Sequence, residues 1–343
     1  MKSKFVYINY RTKMRQTDNP ELEYRTNGHR IATKRTMHPK VDQEKLVKLR
    51  RAVERAWYLQ YTADQYVKYD VWEIPKRSGG TRTIKSPATI GLRTAQADFL
   101  AAVEKAKWVP SNNAHGFVKD RNCKSALQVH QKHHSRWFLK MDIKSFFDTT
   151  TAAMVRDALD YVFPFNQLSD SEKNTLITIT TYENTVPQGA LTSPFICNMV
   201  LVPFDYALQK YCHEHSLIYT RYADDLLISS EVKFDWQEVQ EEVQKLLAML
   251  GYQINTEKTR FGSFNGRNWN LGIMYNNKFD LTIGYRQHHI LKCRVHNFCT
   301  AEIKTKDEYY QLIGLLGYWK YIEPENPKPQ TLIAELQQYK DLI

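Results

Sequence analysis

Apolar and polar positions along this chain follow two rhythms, and the rhythms mark out its elements. From Val41 to Gln60, "VDQEKLVKLRRAVERAWYLQ" sets Leu46, Leu49, Val53, Ala56 and Trp57 on one stripe at helical spacing. In "VWEIPKRSGGTRTIKSP", two short β-rich runs flank Ser78-Gly79-Gly80 and predict a hairpin. "LRTAQADFLAAVEKAK" predicts another helix. In "SRWFLKMDIKSFFDTT" the period falls to two. Trp137, Leu139, Met141 and Ile143 alternate with Lys140, Asp142 and Lys144, as in a half-buried strand. Asp148 is placed to cap a helix over "TTTAAMVRDALDYVF". "VPQGALTSP" is a turn-rich loop entering an apolar helix, "FICNMVLVPFDYALQKY", which Pro203 interrupts. Two short strands then meet within "LIYTRYADDLLISS". "WQEVQEEVQKLLAMLGY" returns to the helical period, and Gly251 ends it. "YQINTEKTRFG" and "NWNLGIMYNN" are β-like, and the chain from Tyr285 onward is helical in pattern.

Helices and short antiparallel strands thus alternate without regular βαβ units, which predicts an α+β fold rather than a doubly wound sheet. The 343 residues are enough for one large or two to three modest lobes. No stretch reaches the roughly 18–20 uncharged apolar residues of a membrane helix. The N-terminal "MKSKFVYINYRTKMRQ" lacks the apolar core of a signal peptide. Five cysteines without CxxC spacing argue against a zinc ribbon and a secreted disulfide framework. A reduced, cytoplasmic protein with no membrane partner is the expectation.

Charge adds a partner to this picture. The net charge of +11 points to a polyanion, most often nucleic acid. Residues 1–50 hold 13 Lys/Arg against 5 Asp/Glu. Residues 1–40 read as an extended basic arm, either for nucleic acid or for solubility.

Against that basic background, Asp224 and Asp225 lie side by side in an apolar, β-rich run. Burying an unpaired carboxylate costs several kcal/mol. A tight hairpin resolves the conflict, because residues at its turn project together beyond the sheet edge. If the strand carrying Asp142 pairs with that hairpin, three carboxylates converge. Charges so crowded need a cation, and oxygen-only ligands suit Mg²⁺ or Mn²⁺. Two such ions about 3.5–4 Å apart form the clamp of in-line phosphoryl transfer. The bland alternative is a solvated "ADD" turn and a strand-edge Asp142.

Read in order, "IPKRSGGTRTI", "AHGFVKDRNCKSAL", "FLKMDIKSFFD", "VPQGALTSPFICN", "RYADDLLIS", "GYQINTEKT" and "NLGIMYN" resemble the blocks of the bacterial reverse transcriptases. That group includes retron, group II intron and defence-associated enzymes. The resemblance implies a right hand: fingers over 41–135 with 165–195 contributing, palm over 136–283 and a short helical thumb over 284–343. It implies RNA-directed DNA polymerase activity on an RNA template with dNTPs, giving a cDNA product. Asp142 and Asp224, with the Ile143 carbonyl, would hold two Mg²⁺ ions, and Asp225 would act less directly. Lys258 matches a proton donor to the leaving pyrophosphate. Lys76 and Arg82 match triphosphate-gripping positions, where an Arg fork binds phosphate well. Phe147 matches the steric gate against a ribose hydroxyl, whereas Phe146 reads as plain core. Gln188 matches a residue beside the incoming nucleotide. Leu271 and Gly272 match the loop that supports the primer, and Arg121 and Tyr222 fall at nucleic-acid-binding positions.

The branch stays open at this stage. A retron-type NAxxH falls on "ALQVH" at residues 126–130, and a retron-type VTG falls on "NLG". A dedicated small RNA, an antiviral defence role, an effector protein and a second copy of the chain are all compatible with the sequence. Untemplated or protein-primed synthesis and a catalytically silent RNA-binding scaffold are the alternatives. "CHEH" at 212–215 does not match HExxH, Gly79-Gly80 is not a P-loop, and the pairs His133-His134 and His288-His289 read as exposed or nucleic-acid-facing.

Overall fold

A computed structural model describes residues 23–26, 29–32, 43–62, 67–76, 79–106, 108, 110–264 and 270–340. It begins with a small antiparallel hairpin, β1 (Glu23–Thr26) and β2 (His29–Ala32), where the sequence suggested an extended arm. The Asn27-Gly28 pair between the strands is the signal for it. Helix α1 (Gln43–Thr62) follows, then the hairpin β3 (Tyr69–Pro75) and β4 (Thr81–Pro87), and α2 (Ile90–Lys105). Next come α3 (Cys123–Lys132), β5 (Trp137–Asp142), α4 (Phe146–Thr149), α5 (Ala152–Tyr161) and α6 (Asp170–Thr180).

The apolar helix breaks at Leu201 into α7 (Ser193–Val200) and α8 (Val202–Glu214). Pro203 falls in the first turn of α8, where its missing N–H removes no helical bond. After them come β6 (Ile218–Tyr222), β7 (Asp225–Ser230), α9 (Trp236–Met249), β8 (Arg260–Ser263), β9 (Met274–Tyr275) and β10 (Leu281–Thr282). Among the described residues of the two β-like runs, the named strands are the short β8 and β9. The chain closes with α10 (Tyr285–Thr300), α11 (Lys306–Ile322) and α12 (Lys328–Gln337).

Asp148 does not cap the next helix. It lies inside α4, and Thr151 Oγ1 accepts the Met154 N–H at 3.3 Å as the true cap of α5. The short turn of α4 consumes residues 146–149, so the chain re-enters helical geometry three residues later.

β5 sits inside a four-stranded antiparallel sheet in the order β6-β7-β5-β8. Period-two alternation sends Leu139 and Met141 to one face and Phe138 to the other. Both faces are covered, which is why Phe138 is buried as well as its neighbours. On the first face the helices α1, α2 and α5–α9 build the larger core around Phe99, Leu159, Met199 and Leu247. On the second, Leu127, Phe138 and Leu227 meet Ile273, Tyr275 and the C-terminal helices through Leu291, Val295, Leu312 and Trp319. His130 of α3 ties this second face together. Its Nδ1 pairs with Ser229 Oγ at 2.5 Å and its Nε2 with Thr220 Oγ1 at 2.8 Å. Burial lowers its pKa to about 3, so the ring is neutral at pH 7.

Of the pair His288-His289, the first is not solvent-facing. Its ring stacks on Trp319 at 4.4 Å and its Nε2 pairs with Glu323 at 2.7 Å. Adjacent helical positions splay apart, so one of the two can turn inward while the other stays out.

Candidate active site

The sheet brings Asp142 and Asp225 together as Cα partners at the last rung of the β5–β7 ladder. Asp224 precedes that rung in a turn with Ala223, which takes a left-handed φ of 57°. Asp225 is thus already in the ladder, opposite Tyr222 as well as Asp142, rather than beyond the sheet edge. The Ile143 N–H donates to the Asp224 carbonyl at 3.0 Å, which seats the turn on the end of β5. On the other side, Lys144 N–H donates to Gln253 O and Asn255 N–H to Asp142 O, at 2.8 and 2.7 Å. This pairing carries the segment 252–258 alongside Asp142. A 3₁₀ turn over Thr256–Lys258 then delivers Lys258 Nζ to both Asp142 oxygens.

Three carboxylates and one close ammonium leave this corner negative. Burial raises the Asp224 pKa, and the Asp142 charge raises it further, while Lys258 and Arg82 act the other way. Asp225 is pushed up to about 6 by burial and by the charges of Asp224 and Asp142. The hydrogen bond from Lys258 to Asp142 raises the lysine pKa above its usual value. Beneath Asp225, burial pulls Lys140 down to about 8. Among the described residues no three His, Cys, Asp or Glu side chains stand close enough to hold a metal as arranged. The donor set nonetheless fits a hard divalent cation. It is all oxygen, partly buried, and its mutual repulsion is offset in part by one exposed lysine, Lys258.

The β3–β4 hairpin approaches from the other side. Lys76 and Arg82 are exposed on it, and the Arg82 charge weakly opposes the rise that burial causes in the Asp224 pKa. Arg77 lies outside the described residues. Lys85 is no free hairpin charge, since its Nζ pairs with Glu183 at 2.9 Å. Its N–H donates to the Gln188 carbonyl at 2.8 Å, which joins β4 to the "PQG" loop. Gly189 is required there. At φ +129° an added Cβ would lie 2.8 Å from Ile84 Cγ2. Phe146 is buried, and Phe147 is half-buried with its ring 5.5 Å away.

Leu271 and Gly272 form the centre of a tight turn closed by Asn270 and Ile273, with φ values of 55° and 79°. A positive φ is rare for a branched side chain and marks a strained position. Leu271 lines a pocket of about 140 Å³ with Lys140, Thr220, Tyr222, Asp225 and Asn270. Asn270 is 2 % exposed, and neither polar atom of its amide has a partner. Tyr222 lies beside Cys123 and Tyr318, which with burial raise its pKa. Arg121 is committed to the protein itself. Its guanidinium donates to the carbonyls of Ser111, Asn112 and Ala114 and so staples that loop.

Behind the aspartates lies a polar cluster that sequence reasoning missed. Arg221 and Asp205 are both fully buried and form a two-pronged ion pair at 2.8 and 2.7 Å. Tyr219 Oη donates to the same carboxylate, and Arg221 Nη1 donates to Asn198 Oδ1. The available signal was two opposite charges, 16 residues apart, each in an otherwise apolar run.

Comparisons with known proteins agree with this architecture. A family model described as reverse transcriptase (RNA-dependent DNA polymerase) matches residues 74–307. The retron Mx65 reverse transcriptase of Myxococcus xanthus is 31% identical over 271 residues, covering 75% of this chain. The chain spans 62% of that relative's length. The retron Ec83 reverse transcriptase of Escherichia coli is 26% identical over 295 residues, covering 80% of this chain and 91% of the relative. An apo telomerase from Candida tropicalis shares the fold with a TM-score of 0.50 at 13% identity, over 78% of this chain and 57% of the telomerase. Among the described residues no helix is long and apolar enough to cross a membrane. The α+β fold is thus that of a right-hand polymerase, and the chain belongs to the reverse transcriptase family, with bacterial retron enzymes among its relatives.

Proposed function

We propose that this protein copies a dedicated small RNA into DNA, using two Mg²⁺ ions held by Asp142, Asp224, Asp225 and the Ile143 carbonyl, in a retron-type or other defence-associated system. The observation that carries the reading is the in-register pairing of Asp142 with Asp225, with Asp224 in the adjoining turn. When bound, the cations supply the charge that activates a primer 3′-hydroxyl and neutralises the triphosphate. The chain's own residues do the rest. Lys258 gives a proton to the departing pyrophosphate, a role supported by its pairing with Asp142. Arg82 and Lys76 grip the triphosphate from the hairpin, and the Arg82 charge already faces Asp224. Phe147 presses on the sugar, and Gln188 borders the nucleotide. Leu271, Gly272 and Tyr222 support the primer end, and Arg121 orders the loop beside them.

In this reading residues 41–135 with 165–195 act as fingers, 136–283 as palm and 284–343 as thumb, and the basic segment 1–40 extends the nucleic-acid surface. The test is dNTP incorporation on a primed RNA. Replacing Asp224 and Asp225 together by alanine should abolish it. Wild-type extension by that variant would refute the assignment. Sequencing copurified nucleic acid tests the template: RNA with attached cDNA supports the reading, and homopolymeric DNA overturns it in favour of untemplated synthesis.

A further inference from the structure

We propose that Arg221 is a positioning residue that fixes the peptide between Ala223 and Asp224, and that Asp205 and Asn198 hold it to that task. The proposal rests on the assignment of Asp224 to the catalytic site. Four N–H groups of the Arg221 guanidinium have partners: two go to Asp205, one to Asn198 Oδ1 and one to the Ala223 carbonyl at 3.0 Å. Ala223 is the left-handed residue directly before Asp224, a conformation that alanine holds only when its surroundings impose it.

Two further contacts close the clamp. Asn198 Nδ2 donates to the Gly116 carbonyl at 2.9 Å. Gly116 presses on the turn so closely that a Cβ there would lie 2.4 Å from the Ala223 nitrogen. The main chain of Arg221 is held as well, by Asn113 O and His115 N–H, both at 2.7 Å. The turn is therefore gripped on one side by a guanidinium and on the other by backbone.

Stability alone does not account for the charges. A buried ion pair seldom improves on apolar residues of the same volume, whereas breaking one partner is costly. An apolar pair could fill this space but could not donate to the Ala223 carbonyl. Directional control of the turn is what the guanidinium adds.

The experiment uses the full chain on a primed RNA with Mg²⁺, and compares Arg221→Met/Asp205→Leu with wild type. The double replacement removes both charges together. With the melting temperature retained, kcat should fall about 100-fold while the dNTP KM stays within about threefold. The Mg²⁺ concentration for half-maximal rate should rise, which a purely structural role would not cause in a folded variant. A folded double variant with wild-type kcat and Mg²⁺ dependence overturns the proposal. If the double variant does not fold, Asn198→Ser decides, because it keeps the Arg221–Asp205 ion pair and removes the amide's ties to Gly116 and to Arg221 Nη1. A fall in kcat of about tenfold supports the clamp, and a wild-type kcat overturns it. Asp224→Ala is run in parallel. Activity in that variant would mean that the catalytic assignment, not the clamp, has failed.

Discussion

Lys258 Nζ donates to both carboxylate oxygens of Asp142, at 3.0 and 2.9 Å, across 116 residues of chain. Its side chain is 61% exposed, so the pair itself adds little stability. Its value lies in placing a charged, proton-bearing group at the carboxylate corner. Lys258→Ala should lower single-turnover dNTP incorporation about 100-fold. Lys258→Arg separates two roles, because arginine keeps the ion pair but does not release its proton near neutral pH. A rate as low as that of the alanine variant identifies a proton donor. A near-wild-type rate reduces Lys258 to a partner of Asp142.

Phe147 shows the same economy of placement. Phe146 takes the core position, with Tyr252 5.8 Å from its ring, and Phe147 is left half-buried beside it. Phe147→Ala should therefore cost less stability than Phe146→Ala and should admit ribonucleotides more readily. Competition between rNTP and dNTP on one primed RNA measures this. Unchanged discrimination removes Phe147 from the gate.

Much of this arrangement was legible in the sequence because it is local. Period-two alternation gave β5, and the hairpin signals gave β3–β4 and β6–β7. What escaped was long-range. The second face of the sheet is covered by helices more than 140 residues downstream, so nothing in the local alternation marks Phe138 as core. The Arg221–Asp205 pair joins a strand to a helix, and nothing in either run names its partner. Arg121 reads as a nucleic-acid contact by position, yet its guanidinium is taken up by three carbonyls that only the fold brings near.

Gly189 couples the "PQG" loop to β4 through close contact. An added Cβ would meet Ile84 Cγ2 at 2.8 Å and Lys85 O at 3.0 Å, with φ already at +129°. Gly189→Ala should lower stability by about 1–3 kcal/mol. It should also loosen the Lys85–Gln188 backbone bond and raise the dNTP KM. Thermal melting and steady-state kinetics together check both effects. A raised KM without the stability loss would mean that the loop adjusts without strain.

Glu323 anchors the C-terminal helices to β10. Its oxygens accept from Thr282 Oγ1, Ile283 N, His288 Nε2, Trp319 Nε1 and Asn326 Nδ2. Burial works to raise its carboxyl, but these hydrogen bonds outweigh it and hold the pKa at about 2, below the ordinary 4.5. A depressed carboxylate contributes stability that is present above pH 4.5 and lost as pH falls toward 2. Glu323→Gln should lose about 2–3 kcal/mol at neutral pH. The gap to wild type should narrow in that acid window. Denaturant melts across pH 2–7 measure this, and a pH-independent gap would exclude the carboxylate as the source.

Asn270 presents the reverse case, a buried amide with both polar atoms unpartnered. Leaving such a group unsatisfied costs about 1–3 kcal/mol, so Asn270→Val should stabilise the free protein by about that amount. Valine also stands at this position in the retron-type VTG. Asn270 lines the pocket shared with Tyr222, Asp225 and Leu271, beside the turn assigned to the primer. If nucleic acid supplies the missing partners, the same substitution should weaken binding of a primed template while raising the melting temperature. Opposite signs in the two measurements mark Asn270 as a contact left unsatisfied until substrate arrives. Gains in both would show that the amide serves no bound strand.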